Sequence, residues 1–248
     1  LHGLSEPQVE TVLKTRTLLS TITVRAPSKA QPTPESSAEV ILQVQELKVE
    51  HGQHVTAGET LLFDTGTGGD NNRDADRITN IVKQVAVEQQ LDHVIVSHYH
   101  GDHVGNAAEL SRRFPIRHFW DHGGWTVEGQ PNRRAAFDTY AAIRSTANVT
   151  VPKPGTKVPM TGLDVTIVSS VGEFITTALA GMPGAGAANP MCKDFTSRVQ
   201  DATPENAVTL AAVIKYGNFR LLDLSDLIWN QEKELVCPRN LLGTFDVY

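Results

Sequence analysis

The sequence predicts an α/β (α+β) fold of mixed sheets with helices outside. Three observations carry that prediction. Apolar segments of strand length alternate with segments of helical period between Leu61 and Ala147. Two β-hairpin patterns then follow, each turning at a glycine. The 248 residues are enough for one large two-layer domain with a real core, or for two small ones.

Residues 1–40 lack a clear period, and residues 26–37 are rich in Pro, Ser and Ala, which reads as a loop. Val40 to Leu62 is rich in β-formers, with Gly52 and Gly58 as turn points. Leu61-Leu62-Phe63 is an apolar strand, and residues 64–70 after it form a tight glycine-rich loop. Ile78, Ile81, Val82, Val85 and Leu91 recur at helical spacing from about Ala75. His93 to Ser97 reads as a strand, Val104 to Phe114 as a helix, Pro115 to Trp120 as a strand and Ala135 to Ala147 as a helix. Lys157 to Ser169 reads as a hairpin turning at Thr161-Gly162. Val208 to Tyr216 with Phe219 to Leu224 reads as a second, turning at Gly217-Asn218. Between them, Leu179 to Pro204 is a long Gly/Ala/Pro-rich loop, a length usually functional or mobile. Asn230 to Val236 reads as a short helix, and Phe245 to Tyr248 as the start of another strand. There are no repeats.

Composition narrows the functional classes. Hydrophobic residues at 40% and charged residues at 20% are ordinary for a soluble globular protein. A net charge of −6 with no basic stripe argues against a nucleic-acid-binding surface. No apolar run reaches the roughly 18 residues that a membrane span needs. The chain begins at Leu1 without a leader, as a processed secreted protein or an excised fragment would. Cys192 and Cys237 do not make a short-spaced zinc motif. They are either a disulfide or two buried thiols, and a secreted or periplasmic location is the expectation.

The chemistry concentrates in His98-Tyr99-His100-Gly101-Asp102-His103. An apolar strand delivers three imidazoles and a carboxylate within six residues. His98 and His100, two apart in extended backbone, point the same way and can bind one ion. Gly101 is expected to let the chain turn sharply, so that Asp102 and His103 face a second position. Mixed nitrogen and oxygen ligands suit Zn²⁺, one or two ions, with Mn or Fe as alternatives.

This segment resembles the signature of the metallo-β-lactamase superfamily, His-x-His-x-Asp-His after a hydrophobic strand, at all four ligand positions. The resemblance covers about Glu59 to Tyr248 and implies an αββα sandwich. It implies that Asp64, ending the strand Leu62-Phe63-Asp64-Thr65-Gly66, braces the metal loop from behind. Phe219 to Asp226 resembles the family strand that ends in a metal-bridging aspartate. Asp226 is the candidate for that bridge and Asp223 its competitor. The block from Asn206 to Asp226 is similar to the competence-type branch, with Ser225 standing where that branch has glycine.

The sequence departs from the family in places. None of the nine histidines lies beyond His122, so two further family histidines have no counterpart. The expectation is a C-terminally truncated chain, with Leu241 to Tyr248 as an exposed edge strand that invites homo-oligomers. His122 is expected to stand in as a ligand or to face the substrate. Tyr99 is expected behind the ligands or facing the substrate. His51, His54, His93 and His118 read as structural or surface residues. Residues 1–58 form a separate N-terminal segment before the domain of residues 59–248. The segment is either a divergent first hairpin or a fused piece resembling a biotinyl/lipoyl-type half-barrel, on the pattern of Val49, Gly52, Val55, Gly58 and Leu61.

The resemblance implies a hydrolase in which metal-bound hydroxide attacks an ester, lactam, lactone or phosphodiester. Asp102 would orient the hydroxide and take part in proton transfer. The Leu179–Pro204 loop and Gly123-Gly124-Trp125 would wall the pocket. The alternative is a non-catalytic or vestigial metal-binding domain with an incomplete site. A redox role, as in diiron relatives, ranks lowest because those carry a glutamate in the motif that this chain lacks.

Overall fold

A computed structural model describes residues 58–86, 88–126, 131–198 and 204–248. The expectations for residues 1–57, including both readings of the N-terminal segment and the positions of His51 and His54, lie outside the described residues.

The described elements are β1 (Leu61–Phe63), α1 (Arg73–Val85), β2 (Leu91–Ile95), α2 (Gly101–Val104), α3 (Ala107–Arg113), β3 (Ile116–Trp120), α4 (Pro131–Arg144), β4 (Asn148–Thr150), β5 (Lys157–Val158), β6 (Asp164–Ser170), β7 (Glu173–Phe174), β8 (Ala211–Tyr216), β9 (Phe219–Asp223) and α5 (Trp229–Val236). The first sheet runs β1-β2-β3-β4, with every pair parallel. Its direction follows from its connections, since the helices between successive strands return the chain to the same end. The second sheet runs β5-β6-β8-β9 with β7 on β6, in antiparallel ladders built from tight turns. Direction mixes within that sheet at the single parallel bridge between Leu221 and Val247.

The two sheets meet through a core of Ile95 and Trp120 from the first and Val165, Ile167, Ala212, Ile214 and Leu221 from the second. Alternation along the strands sends the other residues outward. On the first sheet's outer face Phe119 meets Tyr140 of α4 edge-on, ring centroids 5.3 Å apart. The helix α1 buries Ala75, Ile78 and Val82, and α3 buries Ala107 and Leu110. The second sheet's outer face, with Val168, Ala211, Val213 and Leu222, is covered by Leu235 of α5 and by Met182 and Leu242. The result is the four-layer arrangement of helices, sheet, sheet and helix.

Several boundaries move from the sequence reading. The first helix ends at Val85 because Leu91, on its apolar period, is spent as the first residue of β2. The second helix starts at Gly101, inside the histidine motif, and breaks at Gly105. A Cβ on Gly101 would meet nothing within 4 Å, so the turn does not depend on that glycine. The indispensable pair is Gly68 and Gly105. A Cβ on Gly105 would lie 2.2 Å from Gly68 N, and one on Gly68 would lie 2.5 Å from Gly105 O. The C-terminal stretch is not an unpaired edge either. Leu242 is 2% exposed in the core, and Leu222 N donates to Val247 O at 3.1 Å. Asp246 pairs with Arg220 at 3.0 Å.

Candidate metal centre

The carboxyl ends of β1, β2, β3 and β9 converge, and each delivers a polar residue just past its last strand position. In parallel sheets such ends are where ligands are held. Asp64 follows β1 with φ 58, a left-handed conformation that aspartate tolerates better than most residues. Its backbone N–H donates to Ile95 O at 2.8 Å. Its Oδ1 accepts from Ser97 N and its Oδ2 from Ser97 Oγ, both at 2.7 Å. Its Oδ2 also lies 2.8 Å from His103 Nδ1. Thr65 N donates to His103 O at 2.7 Å, so the loop after β1 is tied to the histidine motif by backbone and side chain together.

His98 and His100 extend from β2 as alternation requires, with rings 4.6 Å apart. His98 Nε2 lies 3.0 Å from His100 Nδ1 and 3.8 Å from Asp226 Oδ2. One ligand atom from each of His98, His100 and Asp226 falls within 4.8 Å of the other two. His103 stands beside them, with Nε2 3.3 Å from Asp226 Oδ1 and 3.6 Å from Asp102 Oδ2. The His98 side chain is fully buried, whereas Asp226 is 40% and Asp102 63% exposed. The centre is therefore a buried floor of imidazoles with a carboxylate rim open to water. Asp226 rather than Asp223 joins it. Asp223 Oδ1 instead accepts from Ser225 N at 3.0 Å.

Hydrogen-bond counting assigns the His98 tautomer. The single proton of Ser97 goes to the Asp64 carboxylate, the strongest acceptor present. Ser97 Oγ then accepts from Ser225 Oγ at 2.8 Å and faces His98 Nδ1 at 3.1 Å. His98 thus carries its proton on Nδ1 and presents the lone pair of Nε2 to the cluster. Burial, and then the charge of His103, hold the His98 pKa down at about 2. Burial also acts to lower His103, but its hydrogen bonds to Asp226 and Asp64, and their charges, outweigh it and push it up to about 10. The hydrogen bond with His103 holds Asp226 below the usual carboxylate range against burial. Asp223 is pushed up to about 6 by burial and the charge of Asp64. Two imidazole nitrogens and a carboxylate oxygen at these separations fit a divalent cation, and His103 with Asp102 could hold or flank a second position.

A further polar layer lies behind this floor. Tyr99 is fully buried and His122 is 4% exposed. The sequence offers His122 as a possible ligand, but its Nε2 is committed to Glu205 Oε1 at 2.8 Å. The same Oε1 accepts from Tyr99 N at 2.8 Å, so Glu205 clamps the backbone between His98 and His100. Tyr99 Oη donates to Gly123 O at 2.7 Å. Asp121, fully buried, accepts from Tyr140 Oη at 2.6 Å and pairs with Arg144. Sequence reasoning misses Ser97 and Glu205. The available signals are a serine closing an apolar strand before a histidine, and a glutamate next to Asn206 at the head of another. Asn206 Nδ2 lies 3.5 Å from Asp226 Oδ2. His93 and His118 sit in the seam between the sheets. Trp120 Nε1 donates to His93 Nδ1 at 3.1 Å, and His118 stacks on Trp120 with ring centroids 4.5 Å apart.

The loop before β8 carries a disulfide, Cys192–Cys237, that ties it to the end of α5. Of the two readings open for these cysteines, the structure realises the bond. Trp125, expected in the pocket wall, packs on Phe137 with ring centroids 5.5 Å apart.

This fold and cluster define a class: proteins that set a histidine and carboxylate centre at the strand ends of an αββα sandwich. Residues 54–176 match the family model of the metallo-beta-lactamase superfamily. Among solved structures, the chain is similar to MEM-A1, a subclass B3 metallo-beta-lactamase from a soil metagenome library (14% identity, 68% of this chain and 53% of that one, TM-score 0.39). It is also similar to a HARLDQ-motif mutant of a metallo-beta-lactamase from Cronobacter sakazakii (12% identity, 67% and 57%, TM-score 0.37). A third is CmlA, a diiron beta-hydroxylase from Streptomyces venezuelae (12% identity, 61% and 24%, TM-score 0.30). The chain thus spans about half the length of the first of these proteins. No curated protein matches it. No described helix is long and apolar enough to cross a membrane.

Proposed function

We propose that the chain is a metal-dependent hydrolase acting on an ester, lactam, lactone or phosphodiester, with zinc as the metal. The observation that carries the reading is the convergence of His98, His100 and Asp226 at the strand ends. His98, His100 and Asp226 would hold one ion, and His103 with Asp102 would complete or share a second position. When bound, the metal supplies Lewis acidity and an activated water. The chain's own residues do the rest. Asp64 and Ser97 fix the tautomers of His103 and His98 from behind. Glu205 holds the backbone between the two histidines. Asp102, exposed beside His103, would take and pass on a proton. Asn206 steadies Asp226. The similarity to the competence-type branch leans toward phosphodiesters, and the net charge of −6 leans toward small substrates over long polyanions. The Cys192–Cys237 disulfide supports an oxidising, secreted or periplasmic compartment.

A second reading, a metal-binding domain without turnover, is favoured by one observation: His122 Nε2 lies 2.8 Å from Glu205 Oε1 and so adds no ligand to the cluster. Metal content, measured on protein purified without added metal, separates the readings when paired with a panel of nitrophenyl esters, a chromogenic β-lactam and bis(p-nitrophenyl) phosphate. Bound metal and turnover that both vanish in His98→Ala/His100→Ala would support the hydrolase. Metal with no turnover on any of them would leave the second reading, and no metal would sink both.

A further inference from the structure

His98 and His100 are joined by one residue, and that residue is held at both ends. Tyr99 points to the opposite side of the chain from its two neighbours, as alternation requires. With Tyr140 it is the largest fully buried side chain among the described residues. Its backbone N–H donates to Glu205 Oε1 at 2.8 Å, and its Oη donates to Gly123 O at 2.7 Å. Its ring packs on those of His122 and Phe137, with centroids 4.2 and 4.8 Å away.

The hold on the hydroxyl continues backward to α4. Gly123 N donates to Asp121 Oδ1 at 2.9 Å. The fully buried Asp121 also accepts from Tyr140 Oη at 2.6 Å and from Arg144 Nη2 at 3.0 Å. Phe137, Tyr140 and Arg144 stand at i, i+3 and i+7 on one face of α4. One helix face therefore meets the ring of Tyr99 and, through Asp121 and Gly123, secures its hydroxyl.

Packing alone does not call for these polar groups. A phenylalanine at 99 would fill nearly the same volume with no buried hydroxyl to satisfy, and a buried polar chain stabilises only when every member is paired. What the chain of contacts adds is direction. A tyrosine fixed at its amide and at the far end of its ring has its Cα fixed too, and the bonds leaving that Cα lead to the two histidines. The resulting separation suits a metal. His98 Nε2 and His100 Nδ1 stand 3.0 Å apart, and two nitrogens each about 2.0–2.1 Å from a tetrahedral zinc are roughly 3.3 Å apart.

We infer that Tyr99 is a positioning residue that sets the spacing of the His98 and His100 imidazoles, and that Arg144, through Asp121 and Gly123, holds it in place from α4. The inference rests on reading the cluster as a metal centre.

Zinc affinity by chelator competition and the visible absorption of the cobalt(II)-loaded full chain test it, and neither depends on turnover. Tyr99→Phe removes only the hydroxyl. It should bind zinc about tenfold more weakly and alter the cobalt bands, which report ligand geometry. Arg144→Lys keeps a charge beside Asp121 and loses the two-pronged contact. It should weaken zinc in the same direction. The double variant should lose no more than Tyr99→Phe alone, because both act along one chain of contacts. Phe137→Leu changes the packing on the same ring and no hydrogen bond, and should hold zinc as the wild type does. A Tyr99→Phe protein with wild-type zinc affinity and cobalt spectrum would overturn the inference, as would an equal loss in Phe137→Leu. Full additivity in the double variant would overturn the link from Arg144. Should Tyr99→Phe not fold by circular dichroism, Arg144→Lys carries the test, and an unchanged cobalt spectrum there would overturn the inference. A wild type that takes up neither zinc nor cobalt would sink the metal-centre reading and the inference together. A zinc-loaded wild type that cleaves nothing would count against hydrolysis alone.

Discussion

Ser225 Oγ donates to Ser97 Oγ across 2.8 Å, and it does so from a backbone with φ 47. The similar branch of the family has glycine at this position, the residue that adopts such a φ without strain. Here a side chain is kept, and its hydroxyl completes the hydrogen bonding of the serine that faces His98. Ser225→Gly should therefore leave the stability of the metal-free protein unchanged or raise it by up to about 1 kcal/mol. The same change should lower zinc affinity by about 3- to 10-fold, somewhat less than the loss of a direct bond to a ligand. Chelator competition and thermal unfolding measure the two quantities separately. Zinc affinity equal to wild type would remove the hydroxyl from the account of the centre.

Asp64 accepts from Ser97 N, Ser97 Oγ and His103 Nδ1 together. Asparagine keeps one acceptor and turns two donors toward these donors. Asp64→Asn should cost on the order of 2–4 kcal/mol in denaturant unfolding, since buried donors are left unpaired. It should also weaken metal binding by about 10- to 100-fold. A variant that unfolds like wild type would show that the loop tolerates a rearranged network.

Asp223 carries a pH signature. Its folded pKa, about 6, lies above the ordinary value of 3.8 because of burial and the charge of Asp64. The folded state therefore binds the proton more tightly than the unfolded state. The stabilisation from that proton is complete below about pH 3.8 and is lost as pH rises through about 6. Asp223→Asn should gain on wild type between pH 4 and 7, by on the order of 2 kcal/mol. Urea midpoints across that range check it, and a difference that stays flat with pH would rule it out.

Removing the disulfide should be costly. Cys192 and Cys237 are 45 residues apart, and opening a loop of that size releases chain entropy worth about 4 kcal/mol in the unfolded state. Unfolding with and without reductant, beside Cys192→Ala/Cys237→Ala, measures it. Reductant should have no effect on the double variant.

What is contiguous in this chain is legible from its amino acids alone. The motif from His98 to His103 can be read because β2 delivers its ligands by simple alternation. Asp226 can be read because an apolar strand runs toward it. The hairpin of β8 and β9 announces itself at Gly217-Asn218. What stays hidden depends on approach between distant segments. Glu205 reaches Tyr99 N across 106 residues and Ser225 reaches Ser97 across 128, and nothing local marks either meeting. Local reasoning puts the glycine requirement at Gly101, within the motif. It belongs to Gly105, which is pressed by Gly68 from another loop. His122 looks available as a ligand because a histidine after a strand end is well aimed, but the carboxylate that claims it lies 83 residues further along the chain.

The bond between Cys192 and Cys237 closes a hoop of polypeptide that contains Glu205, Ser225 and Asp226 but none of the histidines. The centre is thus a meeting of two topologically different pieces, an open strand carrying imidazoles and a closed hoop carrying carboxylates. A single backbone cut within the hoop leaves both of its new ends covalently attached to the rest, so Asp226 stays tethered near its partners. A single cut between His103 and Cys192 has no such safeguard, and would leave the two halves of the centre joined by packing alone.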